Sequence, residues 1–154
     1  MMNDLKINYY LSIPGIIAPI LSISLVIVLG YFEPGYNHFT TTMSVLGGVK
    51  GIRGDIFNIR IAVTGILIIF FAIGLHRSLN EGKGSKIGPL MVILGGLGLI
   101  SAAIFHCNQD CVNNPDLFIQ SGTGILHGVS AFIIGMDLAV APIAVYFRLK
   151  KDPK

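Results

Sequence analysis

The chain has 154 residues, of which 53% are hydrophobic and 12% charged, with no tryptophan and a formal net charge of +3. Soluble domains carry about 25% charged residues, so this composition excludes an ordinary water-soluble globule. The basic excess does not point to nucleic acid, because it is not gathered into one patch but divided among the junctions between long apolar runs.

Four such runs follow in chain order: 9–32, 56–75, 87–105 and 124–147. Each is long enough to cross a hydrocarbon layer about 30 Å thick at 1.5 Å rise per residue. The first run is too long for the apolar core of a signal peptide, and no small-x-small cleavage site follows it, so it reads as a retained span. Pro14 and Pro19 near its start suit a kinked or tilted helix. Arg77–Lys86 is a short connection, which makes the second and third spans antiparallel neighbours. Pro142 in the fourth run removes a hydrogen bond to the carbonyl of Leu138 and predicts a bend. The expected fold is all-α: a single transmembrane domain over 1–154, built as an up-down four-helix bundle. Small-residue pairs, Ala18/Ser22, Gly98/Ala102 and Gly124/Gly128, are expected to let the helices approach closely.

Charge orients this bundle. Lys6, Arg77, Lys83, Lys86, Arg148, Lys150, Lys151 and Lys154 flank one end, while Lys50, Arg53 and Arg60 belong to the other. The positive-inside rule then places both termini and the Arg77–Lys86 connection in the cytoplasm of a multi-pass cell-membrane protein, the basic tail meeting anionic lipid headgroups. The segments 33–55 and 106–123 face outward.

The outward side holds the chemistry-bearing residues. Glu33, Tyr36, His38 and a hydroxyl run that includes Ser44 follow the first span, Asn58 enters the second, and His106, Asp110 and His127 flank the last connection. His127, set among Gly124-Ile125-Leu126 and Gly128-Val129, is expected to be buried and to need a partner, with Asp110, Asn58 or Glu33 available. The bland alternative is interfacial histidines bonded to loop backbone. His106, Asp110 and His127 also form a candidate metal set, since two imidazoles and a carboxylate supply ligands that zinc accepts. Cys107 and Cys111 suit a disulfide outside the cytoplasm, provided the chain leaves helical geometry between them. A Cys/Cys/His/His zinc site or two free thiols are the other options. Haem held between His106 and His127 is a weaker cofactor reading. His76 reads as a solvated helix end.

Asp137 stands alone in the middle of the fourth run. A charged carboxylate at that depth costs several kcal/mol, so it is expected to be neutral, paired or facing a wet interior. Ser22, Ser24 and Thr64 are candidate partners. Ten residues of helix set it about 15 Å from His127.

Short stretches across most of the chain resemble the prokaryotic membrane family known as domain of unknown function 998. They are Ser44-Val45-Leu46-Gly47, Asn58 with Gly65 in the second span, Phe105 with Asp110, and Gly124-Ile125-Leu126-His127. The family often has an acid at the position of Val45 and proline at that of His106, and many members have six spans. The resemblance implies a multi-span membrane protein and marks Ser44, Asn58, Asp110 and His127, but carries no activity. The leading functional expectation is a binding or accessory protein, working beside lipid as a homo-oligomer or with a partner subunit. Its polar cluster would recognise a lipid headgroup, a small ligand or that partner. A metal-dependent intramembrane lipid hydrolase is the alternative. Electron transfer through haem, or ion movement through Asp137, ranks below both.

Overall fold

The computed structural model of the chain describes residues 2–79, 83–108, 111 and 115–150. Its long helices are α1 (Met2–Phe32), α2 (Ile52–Ser78), α3 (Lys83–Ile104) and α5 (Gly122–Leu149), with a short α4 (Pro115–Gln120) before the last. A 3₁₀ helix, Met43–Gly48, lies between α1 and α2. No strand occurs among the described residues. All four long helices are apolar and long enough to cross a membrane, with mean hydropathy of 2.0 to 2.4 in their central windows.

Local chemistry explains where the helices begin and end. Gly51 precedes α2 with φ of 83°, a conformation that costs an L side chain but not glycine. Asp55 lies in the first turn of α2 and Arg77 in its last, each matching the sign of the helix dipole there. Ser121 caps α5, its hydroxyl accepting from the Gly124 N–H at 3.0 Å.

The expected up-down packing is present. Extensive interfaces join α1 to α2, α2 to α3, and α3 to α5, all antiparallel. Among the described residues α1 and α5 share no interface of that extent, so the bundle is built as a succession of neighbours. Isoleucines 16, 20, 23 and 27 on α1, and Val129, Phe132, Met136, Leu138 and Ile143 on α5, remain exposed. Apolar surface this extensive belongs against lipid chains, where it carries no cost.

Glycine sets the closest approaches. A Cβ on Gly65 of α2 would stand 2.5 Å from the Gly96 carbonyl oxygen of α3, and one on Gly96 would stand 2.8 Å from that of Gly65. Backbone meets backbone there, which only glycine permits. Two expected small-residue pairs also work between spans: Ala18 and Ala102 are buried, Ser22 meets α2, and Gly98 packs against Ser130, Ile133 and Ile134 of α5. The third pair does not. Gly124 packs against the backbone of Phe118 in α4, and Gly128 has open space around it. The reason is rotation: α5 turns this stripe away from α3, whose contacts come from Ser130, Ile134, Asp137 and Ala141.

Candidate functional site at the polar-loop end

The end opposite the termini is organised by the last turn of α1. Its final carbonyls have no partner within the helix. Arg53, in the first turn of α2, donates from Nη1 to the Phe32 carbonyl at 2.6 Å and brings Nη2 within 3.4 Å of Glu33 Oε2. That carboxylate oxygen is enclosed and accepts no aligned hydrogen bond, so the guanidinium charge is what faces it. Gly35, with φ of 78°, turns the chain back, and the rings of Tyr36 and His38 settle over Gly30, where a Cβ would meet both. The two rings meet edge to face with centroids 5.0 Å apart. Burial raises the Tyr36 phenol above its ordinary pKa.

Glu33, Tyr36, Thr41, Gly48, Lys50 and Arg53 line a groove of about 470 Å³ here. Arg53 is half-committed to Glu33, whereas Lys50 is exposed and makes no ion pair or hydrogen bond among the described residues. Among the described residues the groove therefore carries one uncompensated cation beside a phenol.

The 3₁₀ helix forms its floor. Leu46 is 2% exposed and packs with Leu29 and Phe57. Asn58 donates from Nδ2 to the Gly47 carbonyl at 3.0 Å, leaving its Oδ1 enclosed without a hydrogen bond. Gly48 is pressed against the Cys107 and Asn108 carbonyls, with room for no side chain. Ser44 points elsewhere, its hydroxyl 3.4 Å from that of Thr42. The Ser44-Val45-Leu46-Gly47 stretch singled out by the sequence is thus mainly a plug that ties α1, α2 and the last connection together.

The histidine pair belongs to the end of α3. His127 Nδ1 lies 2.9 Å from the Phe105 carbonyl and His106 Nδ1 lies 3.3 Å from that of Ala103. A carbonyl only accepts, so each Nδ1 carries a proton and, in the neutral ring, Nε2 is the acceptor. His127 Nδ1 therefore takes a backbone partner, as the bland alternative expected, where the other reading had offered Asp110, Asn58 or Glu33. The orphan carbonyls at the C-terminus of α3 are close at hand and need donors.

Cys107 and Cys111 form a disulfide with their Cα atoms 5.4 Å apart, the chain having left helical geometry after Ile104. Linked in this way they are not thiolates, which removes the Cys/Cys/His/His zinc option. Cys111 and Phe118 line a second groove of about 480 Å³ with Thr40, Thr41, Thr42 and Val45, sharing Thr41 and Val45 with the first.

Contacts thus associate Glu33 and His38 with the first groove and Asn58 with the plug, while His106 and His127 each bond a carbonyl near the end of α3. Among the described residues no hydrogen bond, ion pair or ring contact joins the first three of these to either of the last two. Asp110 lies outside the described residues, so the proposed triad cannot be placed as a whole; among the described residues no three His, Cys, Asp or Glu side chains gather closely enough to hold a metal ion. His76 is more than a solvated end: its Nδ1 donates to the Ser85 carbonyl at 3.0 Å and joins α2 to α3.

Within the membrane region two polar residues stand out. Asp137 faces α3 at Gly95, where any Cβ would collide with its carboxylate, and its Oδ1 is enclosed without a hydrogen bond. None of the partners considered for it is used. Ser22 serves Arg60, Ser24 bonds the Ile20 carbonyl, and Thr64 bonds that of Arg60. Arg60 is the residue whose burial sequence reasoning missed, having counted it with the charges of this end where it enters the second span. It is 3% exposed, donates from Nη1 to the Ser22 carbonyl at 2.7 Å and to its hydroxyl at 3.0 Å, and covers the Phe57 ring at 4.3 Å. The signal was its place inside Ile59-Arg60-Ile61, beyond the start of the apolar run, with Phe57 one turn earlier.

No curated protein and no solved structure matches the chain. The family model described as protein of unknown function (DUF998) matches residues 16–152, a span that includes the second half of α1, the whole of α2, α3 and α5, the plug and the two histidines. By that match over nearly its whole length, the chain belongs to the DUF998 family of membrane proteins.

Proposed function

We propose that the protein is a small membrane recognition protein whose loop end binds a phosphate-bearing group, either a lipid headgroup or a free organophosphate. The observation that carries this reading is the groove between α1, the plug and α2, where Lys50 has no counter-ion among the described residues and Tyr36 offers a phenol donor. Glu33 holds Arg53 in place and trims the local charge, which favours one anionic group over a polyanion. The basic bias of the termini end supports a cytoplasmic position for it and an outward one for the groove. The wide apolar faces of α1 and α5 leave room for a second copy or a partner subunit.

The experiment is calorimetric titration of the purified chain in neutral-detergent micelles with sn-glycerol 3-phosphate and, separately, with dihexanoyl phosphatidylglycerol. Saturable binding that weakens about tenfold in Lys50→Gln supports the proposal, since a hydrogen bond to a charged group is worth about 1.5–3 kcal/mol. Binding of the lipid alone identifies a headgroup site; equal binding of both identifies a site for the phosphate itself. If neither probe binds, the reading is wrong.

A second reading, a metal-dependent lipid hydrolase, is favoured by one observation. His106 and His127 both turn Nδ1 to a backbone carbonyl and leave Nε2 open, the posture of a metal-ligating imidazole. Stoichiometric zinc in the purified protein, lost in His127→Ala, supports it, and metal-free protein of unchanged stability refutes it.

A further inference from the structure

A groove of about 320 Å³ lies at the opposite end of the molecule, between the last turns of α2 and the first turns of α3. Ile73, His76, Lys86, Pro89, Leu90 and Ile93 line it. The order of these residues along the helices is informative. His76 and Lys86 stand near the ends of their helices, at the membrane edge. Ile73, Leu90 and Ile93 lie progressively deeper, Ile93 about 10 Å below Lys86 at 1.5 Å per residue. Pro89 is fully buried and makes a rigid wall without an N–H to satisfy. A channel that is polar at its mouth and apolar below has the chemistry of a phospholipid's upper half.

The mouth also selects a charge. Lys86 is exposed and makes no ion pair or hydrogen bond among the described residues. His76 donates Nδ1–H to the Ser85 carbonyl, so in the neutral ring its Nε2 is an acceptor. Eight basic residues flank this end in the sequence, against the three acids Asp4, Glu81 and Asp152. An ammonium headgroup would stand beside Lys86 as a like charge. A phosphate followed by a hydroxyl satisfies both side chains.

We propose that this groove is a binding site for an anionic phospholipid with a hydroxylated headgroup. One acyl chain lies along Ile73, Pro89, Leu90 and Ile93, the phosphate pairs with Lys86, and a headgroup hydroxyl donates to His76 Nε2. The site is separate from the loop-end groove and does not depend on it.

Because the chain has no tryptophan, a single Leu90→Trp substitution places one fluorescent reporter in the groove. The full-length variant is reconstituted into phosphatidylcholine vesicles containing small fractions of chain-brominated phosphatidylglycerol, phosphatidylethanolamine or phosphatidylcholine, and quenching is compared. The expected result is a preference of about fivefold for phosphatidylglycerol over phosphatidylcholine, the size of one lysine's attraction to an anionic lipid. It falls to near unity in Lys86→Gln and is absent from a control reporter, Phe132→Trp, on the exposed face of α5. If Leu90→Trp does not incorporate, Ile93→Trp is the second reporter. Equal quenching by the lipids at the groove, a preference for phosphatidylethanolamine, or a preference that survives Lys86→Gln overturns the proposal.

Discussion

The crossing of α2 and α3 at Gly65 and Gly96 gives the most direct test of how this bundle is held together. Replacing Gly65 by alanine adds one methyl group where the nearest atom is the Gly96 carbonyl oxygen, 2.5 Å from the new Cβ. Ordinary contact begins near 3.4 Å, so the helices must separate by roughly 0.9 Å, and a gap of that size forfeits about a quarter to a half of each flanking dispersion contact. The side chains that feel it are Leu99 and Ile100, within 3.0 to 3.1 Å of the new Cβ, together with Ile69 across the same interface. Inserting a methylene into packed surroundings costs about 1–3 kcal/mol. Against this stands the better helix propensity of alanine, about 0.5–1 kcal/mol. Gly65→Ala should therefore destabilise the protein by about 0.5–2 kcal/mol. Gly128→Ala is the matched control: nothing lies within 4 Å of its Cβ, so only the propensity gain remains. The assay is reversible unfolding in mixed micelles by increasing mole fraction of sodium dodecyl sulfate, followed by circular dichroism. If Gly65→Ala proves as stable as Gly128→Ala, backbone contact at this crossing is not what joins α2 to α3.

Two further outcomes follow from the polar groups. Arg60 holds a desolvated charge with no acid facing it among the described residues and with an unsatisfied Nε, against two hydrogen bonds to Ser22 and one aromatic face. Removing an ion from water costs several kcal/mol, so Arg60→Met is expected to be neutral or more stable by about 1–3 kcal/mol in the same unfolding assay; a clear loss of stability would show that the charge is properly compensated. Tyr36 titrates above its ordinary value of 10.0 because burial disfavours the phenolate. The folded chain then keeps a proton that the unfolded chain has lost above about pH 10, so stability is intact below that pH and falls as pH rises through the folded-state pKa. Absorbance near 295 nm should show one late-titrating tyrosine that is missing in Tyr36→Phe, and an unchanged curve would contradict this placement.

Much of the candidate site was legible as a list of residues but not as an arrangement. Glu33 and His38 do share a neighbourhood, yet their partners are Arg53 and Tyr36, a cation and a phenol that the sequence presented as a loop charge and as one polar group of the outward side, unpaired with either. Asn58 and the Ser44–Gly47 stretch do meet, but as a backbone plug whose side-chain partner is a carbonyl. A carbonyl belongs to every residue and leaves no mark in composition, so backbone bonding of His127 could be expected as one alternative but not that its carbonyl would be that of Phe105. The disulfide was more legible, because a four-residue separation in a polar turn constrains geometry locally.

The sequence by itself determined that four helices cross a lipid layer, how they are joined, and which end carries the basic excess. Hydropathy and charge are sums over neighbouring residues, and a span needs only enough of them in succession. Tertiary structure alone decided which side of each helix meets another. These helices are apolar nearly all round, so no periodic stripe reports their rotation, and lipid rewards an outward isoleucine as well as an inward one. That missing phase is why Gly65 and Gly96 became a backbone crossing while Gly128 was left in open space. It is also why Arg60 turned inward to Ser22 and Asp137 to Gly95, each placed by a rotation that no count of residues along the chain contains.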